Sequence, residues 1–179
     1  MGRDKATIRI DGSSLAERSA KLLSSFADIA IEVGEGVSGL ASVLEEPRGN
    51  GPLAAIIAGH RELIRMGLNP NASCIVLACD LPLLEPWVLD KIANWPGDQS
   101  ILPVIDNFAQ PLCARWAFRD LRAARVAFGH DERSLQSLPD RRLAVLVDEI
   151  FWGDRIIAFS DVDSPDDFVR LSLVRDDHA

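Results

Sequence analysis

The chain has 179 residues, 47% of them apolar and 26% charged, enough for one domain with a substantial core and too few for two ordinary ones. A formal charge of −8, from 27 acidic against 19 basic side chains and with no basic block, argues against a duplex nucleic-acid partner. No apolar run approaches a membrane span, no leader follows Met1-Gly-Arg-Asp-Lys5, and the three cysteines lack disulfide or zinc spacing, so a cytoplasmic, monomeric single domain over 1–179 is expected.

Thr7 to Ile10 alternates like a short strand, and Asp11-Gly12 makes a turn. Ser14-Leu-Ala-Glu17 is a capping box, after which Leu15, Leu22, Leu23 and Phe26 recur at helical spacing. Ile29 to Val33 and Ser42 to Leu44 read as strands. The loop Arg48-Gly-Asn-Gly-Pro52 leads into a helix with Leu53, Ile56, Ile57, His60 and Ile64 on one face, started by Pro52 and stopped by Gly67. Free backbone N–H groups at such a helix start favour anions, although on spacing alone a plain loop before a plain helix is the preferred reading. His60, on the apolar face, reads as a satisfied core histidine.

The strongest feature is Cys74-Ile-Val-Leu-Ala-Cys79, a continuous apolar run that ends on Asp80 and is stopped by Pro82. Such a run suits a buried parallel strand covered on both faces. Ligands collect beyond the carboxyl ends of strands in open parallel sheets, which places Asp80 to hold a metal ion or a substrate hydroxyl. A capping or turn aspartate is the competing reading.

Pro86 opens a helix that runs to about Asn94. Ile101 to Ile105 and Pro111 to Trp116 are strands, with Asp106-Asn107 as a hairpin turn between them. Phe118 to Phe128 is a helix, and Leu143 to Val147 and Ile156 to Phe159 read as strands. Ser164-Pro-Asp-Asp167 caps a last helix. Alternating strands and helices predict an α/β fold with a mainly parallel sheet and helices on both faces.

These pieces, taken in order, resemble the molybdenum cofactor guanylyltransferases. Met1-Gly-Arg-Asp-Lys5-Ala6 is similar to the family's signature segment, and Gly51-Pro-Leu-Ala-Ala55 with Ala58-Gly59 to its glycine-proline loop and helix. Ala78-Cys-Asp80-Leu-Pro82 resembles its metal-site strand, Gln110-Pro-Leu112 a later strand start, and Asp163-Ser-Pro-Asp-Asp167 its C-terminal motif.

The resemblance implies a Rossmann-like three-layer α/β/α fold. It also implies that the first, central strand and its glycine-rich loop are missing from this sequence, as a start assigned at an internal methionine would produce. The implied reaction transfers GMP from GTP to molybdopterin, releasing pyrophosphate, with Mg²⁺ as cofactor. Lys5 and Asp80 are the implied catalytic pair. Gly2, Arg3, Lys5, Glu46, Gly51, Pro52, Leu53 and Asp80 are the implied nucleotide-binding set, and Asp80 and Asp163 the implied metal residues. Glu46 stands where relatives often carry Asp, and Val33-Gly34 where they carry Asn. The alternatives are a related transferase using CTP or another phosphorylated acceptor, and an inactive cofactor-binding module favoured by the missing loop.

Overall fold

Asp4 opens the described chain by capping a single 3₁₀ turn, Lys5–Thr7, with its side chain accepting from the Ala6 N–H at 3.1 Å. The computed structural model describes residues 4–130, 135, 140, 143–162, 164, 166, 167 and 169. β1 (Arg9–Ile10) and β2 (Ser13–Ser14) form a small antiparallel hairpin around Asp11 and Gly12, both at positive φ. α1 (Leu15–Leu23) starts with the expected reciprocal cap. Ser14 Oγ accepts from the Glu17 N–H at 3.1 Å, and the Glu17 carboxylate accepts from the Ser14 N–H at 2.6 Å.

β3 (Ile31–Val33) and β4 (Ala41–Val43) pair in parallel. α2 (Gly51–Arg65) carries Pro52 in its first turn, and Gly67 at φ 106° follows its end. β5 (Cys74–Leu77) comes next, then α3 (Pro86–Ala93), β6 (Ile101–Ile105), β7 (Phe108–Ala109) and β8 (Cys113–Trp116). α4 (Phe118–Gly129), β9 (Val145–Val147) and the one-turn α5 (Glu149–Trp152) complete the regular elements, and a 3₁₀ segment, Gly153–Phe159, follows α5 directly. β5, β8, β6 and β7 lie in that order in one sheet, with β9 parallel to β6.

Alternation along the strands produces three layers. On β8, Ala114 and Trp116 join Leu53, Ile56 and Ile57 of α2 and Leu121 and Ala124 of α4 in one core. Cys113 faces the opposite way, into a second core with Val88 and Ile92 of α3, Trp152 of α5 and Phe159. Ile101 and Leu102 divide between the two cores in the same manner. This is the expected α/β/α arrangement, with α2 and α4 on one face and α3 and α5 on the other. Among the described residues, no helix is long and apolar enough to cross a membrane.

Two local expectations are corrected. Ile156 to Phe159 is 3₁₀ helix and not strand, entered through Gly153 at φ 54°, and it buries Ala158 and Phe159 under the sheet. A four-residue apolar run does not discriminate the two conformations. β5 does not pair in parallel on its described side: it runs antiparallel to β8, with Cys74 opposite Trp116 and Leu77 opposite Cys113. Continuous apolar character reports burial of both faces, which an antiparallel strand inside a three-layer stack also needs.

Among the described residues, β3 pairs only with β4, and β5 only with β8. Their other edges border one cavity of about 1140 Å³, bounded by Ala16, Ser19 and Ala20 of α1 and by Ile56, Gly59 and His60 of α2.

Candidate active site

The carboxyl end of β5 sets the position of Asp80. The Ala78 N–H donates to the Leu112 carbonyl at 2.7 Å, carrying the pairing with the neighbouring chain one step past the strand. The Val162 N–H donates to the Asp80 carbonyl at 2.9 Å, so the backbone at Asp80 is held from the far side as well. Its side chain, about one quarter exposed, faces the cavity, and Lys5 Nζ lies 3.3 Å from Oδ2. These two residues are 75 positions apart in sequence, and the structure brings them together as a direct ion pair.

Lys5 is delivered by the 3₁₀ turn that Asp4 caps. Ile8 and Ile10 behind it are buried with Leu15 and pack against Cys79. Ser19 of α1 donates to the Cys79 carbonyl at 3.5 Å, a second tie between this segment and the end of β5. Burial pushes the Cys79 thiol up to about 11, and the Asp80 charge adds to this, both disfavouring the thiolate.

The other predicted residues scatter around the cavity. Pro52 lines it; Gly51, at φ 80°, makes the turn that α2 needs at its start. Asn50, at the cap position, makes no side-chain bond to the helix and donates to the Pro47 carbonyl instead. The first N–H groups of α2 therefore have no side-chain cap from Asn50. Leu53 is fully buried in the core, so its side chain packs the helix and does not face the cavity. Glu46 is exposed and outside the lining; its neighbour Glu45 is in it, its carboxylate accepting from the Gly49 N–H at 3.1 Å. Gly2, Arg3 and Asp163 lie outside the described residues.

Sequence reasoning passed over Glu32 and Arg48. Glu32 accepts from three successive backbone N–H groups, Gly36 at 2.8 Å, Val37 at 3.0 Å and Ser38 at 2.7 Å, and so fixes the loop between β3 and β4 at the cavity wall. Burial alone would raise its pKa, but the hydrogen bonds from Ser38, Val37 and Gly36 outweigh this and hold it below the usual carboxylate value. Arg48 pairs with Glu35 at 3.2 Å on the same rim. No local motif marks either residue, since each acts through a loop folded back on it.

His60 corrects one expectation. It is buried, as foreseen, but neither ring nitrogen has a hydrogen-bond partner among the described residues. Burial, and then the positive charge of Arg125, lowers its pKa below the ordinary value.

The cavity lining is acidic on balance, with Asp4, Asp28, Glu32, Glu35, Glu45 and Asp80 against Arg48 and Arg115, and Lys5 at Asp80. Among the described residues no three His, Cys, Asp or Glu side chains cluster as a metal cage. A single accessible carboxylate fits Mg²⁺, which keeps several waters and takes its remaining ligands from phosphates. It does not fit an ion held wholly by protein.

Residues 1–145 match the family model of the MobA-like NTP transferase domain. A probable molybdenum cofactor guanylyltransferase from Opitutus terrae is 31% identical over 144 residues, 76% of this chain and 69% of that protein. A protein of the same description from Chloroflexus aggregans is 28% identical over 165 residues, 86% of this chain and 73% of that one. The crystal structure of molybdopterin-guanine dinucleotide biosynthesis protein A from Archaeoglobus fulgidus superposes with a TM-score of 0.73 at 22% identity, covering 98% of this chain and 92% of that one; it carries the fold. The family match spans most of the sequence, and the chain belongs to the MobA-like NTP transferase family.

Proposed function

We propose that this nucleotidyltransferase-family chain transfers GMP from GTP to molybdopterin. The observation that carries the reading is the Lys5–Asp80 pair at the carboxyl end of β5, on the wall of a cavity large enough for a nucleotide. A phosphate oxygen of the acceptor forms a bond to the α-phosphorus of GTP, the bond from that phosphorus to the bridging oxygen breaks, and pyrophosphate leaves with the electron pair. Such a displacement needs positioning and charge neutralisation more than proton transfer.

Each residue has a part that follows from its place. Lys5 exchanges its contact with Asp80 for the incoming phosphates, as a compact point charge on a flexible stem. Asp80, once released from Lys5, is the residue that would hold Mg²⁺, and the ion would supply charge neutralisation for the phosphates. The start of α2, with no side-chain cap at Asn50, offers backbone N–H groups to anionic or carbonyl oxygens. The acidic excess around the mouth would repel a bare triphosphate, so charge favours binding of the nucleotide together with a cation.

The test is pyrophosphate release and guanine dinucleotide formation from GTP and molybdopterin, with and without Mg²⁺. Turnover is expected only with the cation, and Asp80→Ala is expected to abolish it. Unchanged turnover in Asp80→Ala would remove the carboxylate from the mechanism.

A further inference from the structure

Lys5 reaches Asp80 from a very short piece of structure. The turn that carries it rests on two backbone hydrogen bonds, from the Thr7 N–H to the Asp4 carbonyl and from the Ile8 N–H to the Lys5 carbonyl, each 3.0 Å. An isolated 3₁₀ turn is a marginal structure, because its hydrogen bonds are poorly aligned and few for the dihedrals they fix. The core secures its downstream end: the Leu15 N–H donates to the Ile8 carbonyl at 2.9 Å, and Ile8 and Ile10 are buried with Leu15. The upstream end, where Lys5 stands, has no such packing and is closed by Asp4.

Asp4 closes it twice. Its Oδ1 accepts from the Ala6 N–H at 3.1 Å, and its carbonyl accepts from the Thr7 hydroxyl at 2.8 Å. A lysine ammonium sits on a flexible stem, so its direction depends on where the backbone beneath it is held. Asp80, 75 positions away, is fixed by β5 independently of this turn. The 3.3 Å contact between the two residues therefore depends on the turn keeping its shape.

We propose that Asp4 is a positioning residue for the transfer reaction: by capping the turn it directs the Lys5 ammonium to the carboxyl end of β5, where the phosphates arrive. Asp4 acts through Lys5 and binds neither phosphate nor cation itself. This deepens the transferase reading above and rests on it for the part played by Lys5. The rival account is electrostatic. Asp4 is exposed and lines the cavity, and its charge adds to burial and to Asp80 in raising the Cys79 thiol. A carboxylate so placed would act by its charge, holding a cation beside Asp80. Cap and charge separate chemically, because asparagine keeps the accepting oxygen and caps about as well as aspartate, whereas alanine does neither.

The test is binding of magnesium tripolyphosphate to the whole chain by calorimetry, with GMP transfer measured separately. Asp4→Ala is expected to weaken binding about fivefold and Asp4→Asn by less than about twofold, the effects of losing or keeping one helix cap. Lys5→Ala is expected to weaken it more, and adding Asp4→Ala to Lys5→Ala to change nothing further, since a positioning residue acts only through the group it positions. Equal losses in Asp4→Asn and Asp4→Ala would overturn the proposal by assigning the effect to charge. A loss from Asp4→Ala that persists in the Lys5→Ala background, no loss at all, or no saturable binding by the unsubstituted chain would overturn it as well. The two proposals fail separately. Binding that depends on the cap, with no GMP transfer to molybdopterin, would end the transferase reading and leave the positioning of Lys5 standing.

Discussion

Arg115 offers the sharpest test of how the fold is held. It sits on β8, 8% exposed, and its guanidinium donates to four backbone carbonyls: Ala93 at 3.0 Å, Trp95 at 2.7 Å, Gly97 at 2.9 Å and Gln99 at 3.1 Å. These carbonyls span the connection from α3 to β6, so one side chain closes the whole turn against the sheet. Burial lowers its pKa, with Asp98 opposing, but a guanidinium stays charged throughout the accessible range. Arg115→Met removes all four bonds and leaves the carbonyls facing an apolar chain. Each bond to a charged donor contributes about 1.5–3 kcal/mol, and desolvation of the cation offsets much of the sum. The expected loss is about 3–5 kcal/mol, in the range for breaking a buried charged network. In a chain of this size that lowers the melting temperature by about 10 °C. Equilibrium urea unfolding with an unchanged m-value is the measurement. Arg115→Lys is expected to recover less than half, because an ammonium cannot span four acceptors laid out for a planar fork. A loss below about 1 kcal/mol in Arg115→Met, the level of an ordinary surface change, would refute the reasoning.

His60 and Glu32 yield two pH-dependent expectations of opposite kind. The folded state disfavours the His60 imidazolium, so the unfolded chain takes up the extra proton and stability falls as pH drops below 6.5. His60→Phe is expected to gain about 1 kcal/mol at pH 7.5 by removing two unpartnered nitrogens, and a larger gain at pH 5.5. A pH-independent loss in thermal melts would show that the imidazole has a partner. Glu32, with its pKa held below 4.5, stabilises the fold fully above that value and loses its contribution as pH falls through the lowered one. Glu32→Gln places an N–H₂ group where one backbone N–H was accepted and is expected to cost about 1–2 kcal/mol at neutral pH, with the difference vanishing in acid. A difference that persists unchanged at pH 3 would exclude the carboxylate charge as its source.

Elements whose signals are local were legible in the sequence. The Ser14–Glu17 cap, Pro52 at the start of α2 and the Asp106–Asn107 turn each depend on residues within four positions, and each stands in the structure as read. Asp80 was legible because an apolar run that stops on a carboxylate is conspicuous. What escaped was non-local. The antiparallel partner of β5 lies in β8, some forty residues on, and periodicity carries no partner information. Glu45 and not Glu46 lines the cavity, a distinction between adjacent like-charged residues that the sequence does not carry. Arg115 looked like any charged residue in a strand, since its acceptors are carbonyls and carbonyls have no sequence signature.

The division of the strands has a thermodynamic consequence. β3 and β4 are tied to the remaining layers chiefly by α2, where a Cβ added at Gly59 would come within 2.9 Å of Val33. That part of the molecule can open as a cooperative unit of its own while the β5–β8–β6 sheet stays intact. The cavity draws its wall from both units, Glu32 and Glu45 from one and Asp80 from the other. A molecule that fills it must therefore hold the weaker unit closed, and occupancy raises the stability of β3 and β4 by mass action even where it touches neither strand. Affinity and local folding are then a single equilibrium, and any substitution that loosens α2 against β3 weakens binding without altering a contact atom.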